Sequence, residues 1–244
     1  MYDKVKYLAA GDRGLIIEFG DKIEEATNSK IRDMLLAIST SDTIGIIEMV
    51  PTYRSIMVIY DPMIIRFNEL IDKICSLEGR LNRMSMLQSR TIEIPTIYGG
   101  EYGPDISSVA EYNKITTEEV IKIHTSGEYL IYMIGFTPGF PYLGGMPEKI
   151  ATPRHQIPRT KIPAGSVGIA GSQTGIYPIE SPGGWQLIGR TPIKLYDPYR
   201  EEPVLLSSGD HIRFIAIDEK NYQRIAELES QGKYKVETLI KNMR

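Results

Sequence analysis

Apolar positions along the first ninety residues switch between two periods, and each switch marks an element. Residues 6–9 and 15–19 read as short strands around Gly11-Asp12-Arg13-Gly14, which predicts a hairpin-like start. Ile31, Met34, Leu35 and Ile38 then fall at i, i+3, i+4 and i+7, the spacing of an amphipathic helix. Residues 44–49 and 53–60 read as strands separated by Val50-Pro51-Thr52, and after Asp61-Pro62 the helical spacing returns at Phe67, Leu70, Ile71 and Ile74. Residues 91–96 revert to a strand. Strand, helix, two strands, helix, strand is the order of a split βαβ, ferredoxin-like unit. With no cluster of chemical groups inside it, residues 1–98 read as a structural or partner-docking domain.

The stretch from Tyr98 to Asp105, rich in glycine, breaks both periods and sets a boundary before a second domain over residues 99–244. Asp105 can cap a helix over 106–112. Thr116 and Glu119 have the spacing of a capping box ahead of Val120, Ile121 and His124. Residues 128–134 read as a buried strand. The later apolar runs, 167–170, 186–188, 193–196 and 212–217, are short, and many short strands joined by turns predict a closed barrel or a sandwich. Asp218 can cap a last helix to residue 228, which the lysine-rich tail would continue.

Between Gly135 and Trp185 lie ten of the 22 glycines and eight of the 15 prolines. Glycine opens positive φ and proline fixes φ near about −65°, so this density shapes a surface without a long element. Phe136, Phe140, Tyr142, Tyr177 and Trp185 supply flat faces to it, and Arg154, Arg159, Lys161 and Arg190 supply cations. His155, Gln156, Ser172 and Gln173 add hydrogen-bonding groups, so a small, planar, anionic ligand suits the segment.

Composition narrows the classes. A net charge of −3 with scattered basic residues gives no footprint for nucleic acid. No run approaches the roughly 18 apolar residues of a membrane helix, and the first residues lack a signal-peptide core, so a soluble, cytoplasmic protein is expected. Cys75, the one cysteine, excludes an internal disulfide and reads as a packed thiol beside Ile74 and Leu77. His124, His155 and His211 are far apart without spaced carboxylate or thiolate partners, which argues against a metal site. Ser166 and Ser172 lack the nucleophile-elbow pattern. Neither glycine-rich phosphate-loop pattern occurs, so arginines would have to hold any nucleotide.

Arg154 and Arg159 are the leading anion-binding candidates, since a guanidinium fork can bind a carboxylate or phosphate through two bonds. The competing reading is two solvated loop charges. If they bind the ligand, replacing them should weaken binding and leave stability nearly unchanged. His155 is a candidate acid or base. Gln173 and Ser172 could orient a carbonyl or a water, and Glu180 is the carboxylate embedded in the later motif. Phe140, Tyr142, Tyr177 and Trp185 are read either as ligand-facing rings or as core.

Five blocks in one order carry a resemblance: Gly135-Phe136-Thr137-Pro138-Gly139-Phe140-Pro141-Tyr142-Leu143, Pro158-Arg159, Pro163-Ala164-Gly165-Ser166-Val167, Gln173-Thr174-Gly175-Ile176-Tyr177-Pro178 and Ser181-Pro182-Gly183-Gly184-Trp185. They resemble the 5-oxoprolinase B-subunit family, which also includes a sporulation kinase inhibitor and the first-subunit proteins of allophanate hydrolase. The resemblance implies an α+β protein, a ferredoxin-like domain followed by a cyclophilin-like β-barrel. It also implies a part in the ATP-dependent opening of 5-oxoproline to glutamate, with Mg-ATP as cofactor and the 5-oxoprolinase A- and C-subunits as partners. Two further roles stay open: a non-catalytic inhibitor that binds a histidine kinase, and an allophanate hydrolase or urea carboxylase-related component.

Overall fold

A computed structural model describes residue 2, residues 4–81 and residues 89–241. The chain forms two compact units that divide after Gln88. The first is built from β1 (Lys6–Ala10), β2 (Gly14–Glu18), α1 (Glu25–Ser39), β3 (Ile46–Pro51), β4 (Ser55–Tyr60) and α2 (Phe67–Leu81). Its antiparallel sheet has the order β1-β2-β4-β3. Alternation puts Leu15, Ile17, Ile56 and Val58 on one face, where they are fully buried with Ile31 and Met34 of α1 and Leu70 and Ile74 of α2. Cys75 is exposed, not packed, because the buried stripe of α2 runs through Leu70, Ile74 and Leu77 and its neighbour Cys75 points about 100° away.

This unit departs from the expected strand order in one respect. Residues 91–96 do not close the first sheet; they belong to β5 (Ser89–Tyr98), which lies in the second unit. The edge beside β2 is taken by β1 from the N-terminal side.

The second unit continues with α3 (Ile106–Asn113), α4 (Thr117–Ser126), β6 (Tyr129–Ile134), β7 (Pro141–Gly144), β8 (Arg159–Ile162), β9 (Ser166–Ala170), β10 (Gln173–Ile176), β11 (Ser181–Gly183), β12 (Gln186–Arg190), β13 (His211–Ala216), α5 (Glu219–Ser230) and β14 (Thr238–Lys241). Its main sheet runs β10-β9-β12-β5-β13-β6-β7, with β14 also on β5, and the end strands β10 and β7 lie against each other, so the sheet is a nearly closed barrel. Among the described residues, only β5 and β13 pair in parallel. β8 and β11 form a separate two-stranded ribbon. Two tail expectations change: residues 193–196 are irregular apart from a bridge between Tyr196 and Val204, and the lysine-rich tail ends as strand β14, not as helix. Among the described residues, no helix is long and apolar enough to cross a membrane.

The barrel interior holds Ile94, Tyr129, Ile131, Val167, Ile169, Ile188, Ile212 and Phe214. His124 of α4 is completely buried among them, stacked near Phe214 at 4.3 Å between ring centres. The Thr174 hydroxyl donates to the Gly168 carbonyl at 3.1 Å, so it accepts from His124 Nε2 at 2.8 Å, and Nδ1 accepts from the Tyr98 hydroxyl at 2.7 Å. Burial pushes the His124 imidazole down to about 3, and it is a neutral strut of the core. The expected capping box at Thr116 and Glu119 is present. Asp105 holds the N-cap position of α3, yet its carboxylate makes no capping bond.

Candidate functional site

The site is built where β6 ends. Thr137 N–H donates to the Gly135 carbonyl at 2.8 Å across Phe136, whose φ is +65°. This is a γ-turn of the rare positive-φ form, a conformation that costs a bulky residue about 1–3 kcal/mol. The turn is closed by Phe140 N–H on the Thr137 carbonyl and Gly135 N–H on the Phe140 carbonyl, both at 3.0 Å. Phe136 is therefore held out at 66% exposure while Phe140, four residues on, is buried.

Phe140 is the hub of an aromatic cluster. Its ring centre lies 5.6 Å from Phe136, 5.2 Å from Tyr142, 5.7 Å from Tyr177 and 5.7 Å from Trp185, with interplanar angles of 65–90°. Edge-to-face packing puts the positive rim of one ring on the negative face of another. Two glycines make room: a Cβ on Gly175 would press on the Trp185 and Phe140 rings, and one on Gly183 would collide with the Tyr177 hydroxyl. These rings, with Pro182, Gly183, Gly184 and Arg154, enclose a hollow of about 170 Å³. Burial pushes the Tyr177 phenol up to about 12, against the pull of Arg154 and Arg159, so it stays a neutral hydrogen-bonding group.

The four cations of the segment meet different fates. Arg159 Nη2 donates to Asp105 Oδ1 at 2.6 Å and Nη1 to the Trp185 carbonyl at 3.4 Å. Asp105 Oδ2 accepts from Leu187 N–H at 2.6 Å and lies 3.3 Å from His155 Nε2, an ion-pair distance when the imidazole is protonated but without hydrogen-bond direction. Asp105 thus ties α3, β8, the loop before it and β12 together behind the hollow. Lys161 pairs with Glu180 at 3.1 Å on the exposed face of the ribbon. Arg190 lies 5.7 Å from the centre of the Tyr102 ring and interacts with Tyr222. Arg154 alone of the four has no hydrogen bond or ion pair to another described residue; its guanidinium carbon stands 5.9 Å from the centre of the Trp185 ring.

Of the candidates from the sequence, Phe140, Tyr142, Arg154, Tyr177 and Trp185 line one hollow. His155 and Arg159 stand behind its wall, engaged with Asp105. Ser172 and Gln173 sit at the β9–β10 turn, and they, Glu180 and Arg190 are not among the lining residues. Phe136 and Pro182–Gly184 also line it, and Asp105, read from the sequence only as a helix cap, is the carboxylate that engages Arg159 and His155 behind it. Two larger hollows, of about 370 and 350 Å³, flank Tyr234; in the first Arg200 pairs with Glu229, and in the second Glu93 pairs with Arg213 beside Arg224 and Glu237. Among the described residues, no three His, Cys, Asp or Glu side chains gather as a metal-holding group.

The strain at Phe136 gives a direct test. Glycine adopts φ of +65° freely, so Phe136→Gly should change stability by less than about 1 kcal/mol, the relief offsetting glycine's larger unfolded entropy. Trp185, the one tryptophan, should shift its emission to longer wavelength as the hollow opens to water. A large loss of stability would mean that the ring is core, and unchanged emission would mean that it covers nothing.

The family model of the carboxyltransferase domain, subdomain C and D, matches residues 5–206. The 5-oxoprolinase B-subunit of Bacillus subtilis is 46% identical over 228 residues, 89% of this chain and 95% of that protein. A urea amidolyase of Lachancea kluyveri is 28% identical over 96% of this chain, which spans 14% of that longer protein. The crystal structure of TTHA0988 superposes with a TM-score of 0.75 at 35% identity, over 84% of this chain and 40% of that one. A family model over residues 5–206 and a near full-length relative at 46% identity agree, and the chain belongs to the carboxyltransferase subdomain C and D family, alongside the 5-oxoprolinase B-subunit proteins.

Proposed function

We propose that this chain is the B-subunit of an ATP-dependent 5-oxoprolinase and works with the A- and C-subunits to hydrolyse 5-oxo-L-proline to L-glutamate. The observation that carries the reading is the 46% identity to the Bacillus subtilis B-subunit along nearly the whole of both chains. The urea amidolyase relationship is more distant, at 28%. The lactam is a resonance-stabilised amide, a poor electrophile. Transfer of a phosphoryl group from ATP to its carbonyl oxygen opens the carbon to water, cleavage of the ring C–N bond in the water adduct leaves the γ-acyl phosphate, and a second water hydrolyses that to glutamate and phosphate. Such a site needs cations for the triphosphate and carboxylates for magnesium. Around the hollow the carboxylates of Asp105 and Glu180 are already paired, with Arg159 and Lys161. The remaining groups would come from the partner subunits.

The purified chain with 5-oxo-L-proline and Mg-ATP should release no glutamate, and adding the A- and C-subunits should start turnover. Turnover by the chain alone would sink the division of labour. No turnover with authentic partners would sink the 5-oxoproline reading and favour the kinase-binding or urea-related roles.

A further inference from the structure

Resting on that reading, we propose that the hollow between Arg154 and the aromatic cluster seats the small cyclic carboxylate, with the carboxylate on Arg154 and the ring against Phe140, Tyr142 and Trp185, and that the triphosphate is held outside it. Size is the first argument. The hollow measures about 170 Å³, and a cavity of about 150 Å³ accommodates a single six-membered ring. A five-membered ring with one carboxylate therefore fits, whereas a nucleotide could insert no more than its base.

Charge makes the choice between substrate and base. A nucleotide seated by its base would bring a triphosphate to the rim, and a triphosphate needs several cations. Arg159 is committed to Asp105 at 2.6 Å and Lys161 to Glu180 at 3.1 Å, while Arg190 is engaged with Tyr102 and Tyr222. Only Arg154 of these cations is uncommitted. One guanidinium matches one carboxylate through two parallel bonds and leaves a triphosphate mostly unmatched. The neutral Tyr177 phenol and the wall at Gly183 and Gly184 add polar groups without further charge, which suits a lactam.

Trp185 lines the hollow and is the one tryptophan of the chain, so its emission reports occupancy without a label. Titrating the full chain with 5-oxo-L-proline should change that emission saturably. Arg154→Ala should weaken binding roughly tenfold to a hundredfold, the loss of one charge-assisted contact, and Arg154→Lys should recover part of it. 2-Pyrrolidone, the same ring without the carboxylate, should bind the parent about as weakly as 5-oxo-L-proline binds Arg154→Ala. ATP, with or without magnesium, should leave the emission unchanged. Saturable ATP binding that depends on Arg154, equal 5-oxo-L-proline affinity in parent and Arg154→Ala, or silence of Trp185 to 5-oxo-L-proline at millimolar levels would each overturn the assignment. In the reconstituted complex, Arg154→Ala should raise KM for 5-oxo-L-proline and leave KM for ATP in place. A rise in KM for ATP instead would overturn the seat while leaving the proposed activity intact; absence of turnover with the unmodified proteins would overturn the activity itself.

Discussion

Replacing Asp105 by alanine should destabilise the second unit by about 2–4 kcal/mol, because it leaves a partly buried guanidinium and a buried backbone donor without their acceptor. The Asp105 residue is 6% exposed, and its carboxylate takes short bonds of 2.6 Å from both Arg159 and Leu187 N–H. Asp105→Asn keeps an acceptor for one of them and should lose about half as much. Arg159→Ala should also destabilise, since it strips the carboxylate of its cation, although this arginine was expected from the sequence to bind ligand without touching stability. Chemical denaturation followed through Trp185 gives the midpoints, and the same probe should report a loosened hollow in the folded Asp105→Ala chain. An Asp105→Ala midpoint matching the parent would mean that its bonds to Arg159 and Leu187 contribute nothing to the stability of this unit.

A fragment beginning at residue 89 should fold, and one beginning at residue 105 should not. Sequence periodicity alone puts the boundary at residues 98–105 and predicts that the shorter fragment suffices. β5 reverses that expectation. It is hydrogen-bonded to β12, β13 and β14, and its Ile92, Ile94 and Ile97 are buried in the barrel. Removing it exposes an edge on β13 and on β12 and deletes three core side chains, a loss of roughly 6–15 kcal/mol at 2–5 kcal/mol for each. That is comparable with the total stability of a typical domain, roughly 5–15 kcal/mol. Circular dichroism and the cooperativity of thermal unfolding distinguish the two fragments. Cooperative unfolding of the shorter one would show that the barrel does without β5.

The elements themselves were legible because helices and half-buried strands write their period into a few neighbouring residues. The partner of a strand is not local information. Residues 91–96 alternate equally well for either sheet, and only contacts with β13 and β14, more than a hundred residues on, decide between them. The aromatic wall was legible from the density of glycine and proline around it. The strands β7, β8, β10 and β11 inside that segment, of three or four residues each, are too short to show a period. Which arginine is free was also hidden: Arg159 and Arg154 look alike in sequence, and Asp105, 54 residues before Arg159, reads as a helix cap until Leu187 N–H is seen to take its second oxygen.

The position of β5 also sets an order of events during synthesis. The first sheet is complete once α2 has emerged, since β1 supplies its last edge, and every strand it needs lies within residues 6–60. The barrel has no such early closure. Its central strand is among the first of that unit to leave the ribosome, yet its neighbours β12, β13 and β14 are made at residues 186–190, 211–216 and 238–241. Pairing across such separations closes long loops before any contact rewards them, which slows folding. At about 5–20 residues per second, the chain spends several seconds with β5 made and unpartnered, an apolar strand exposed to other strand edges while the first unit is already folded.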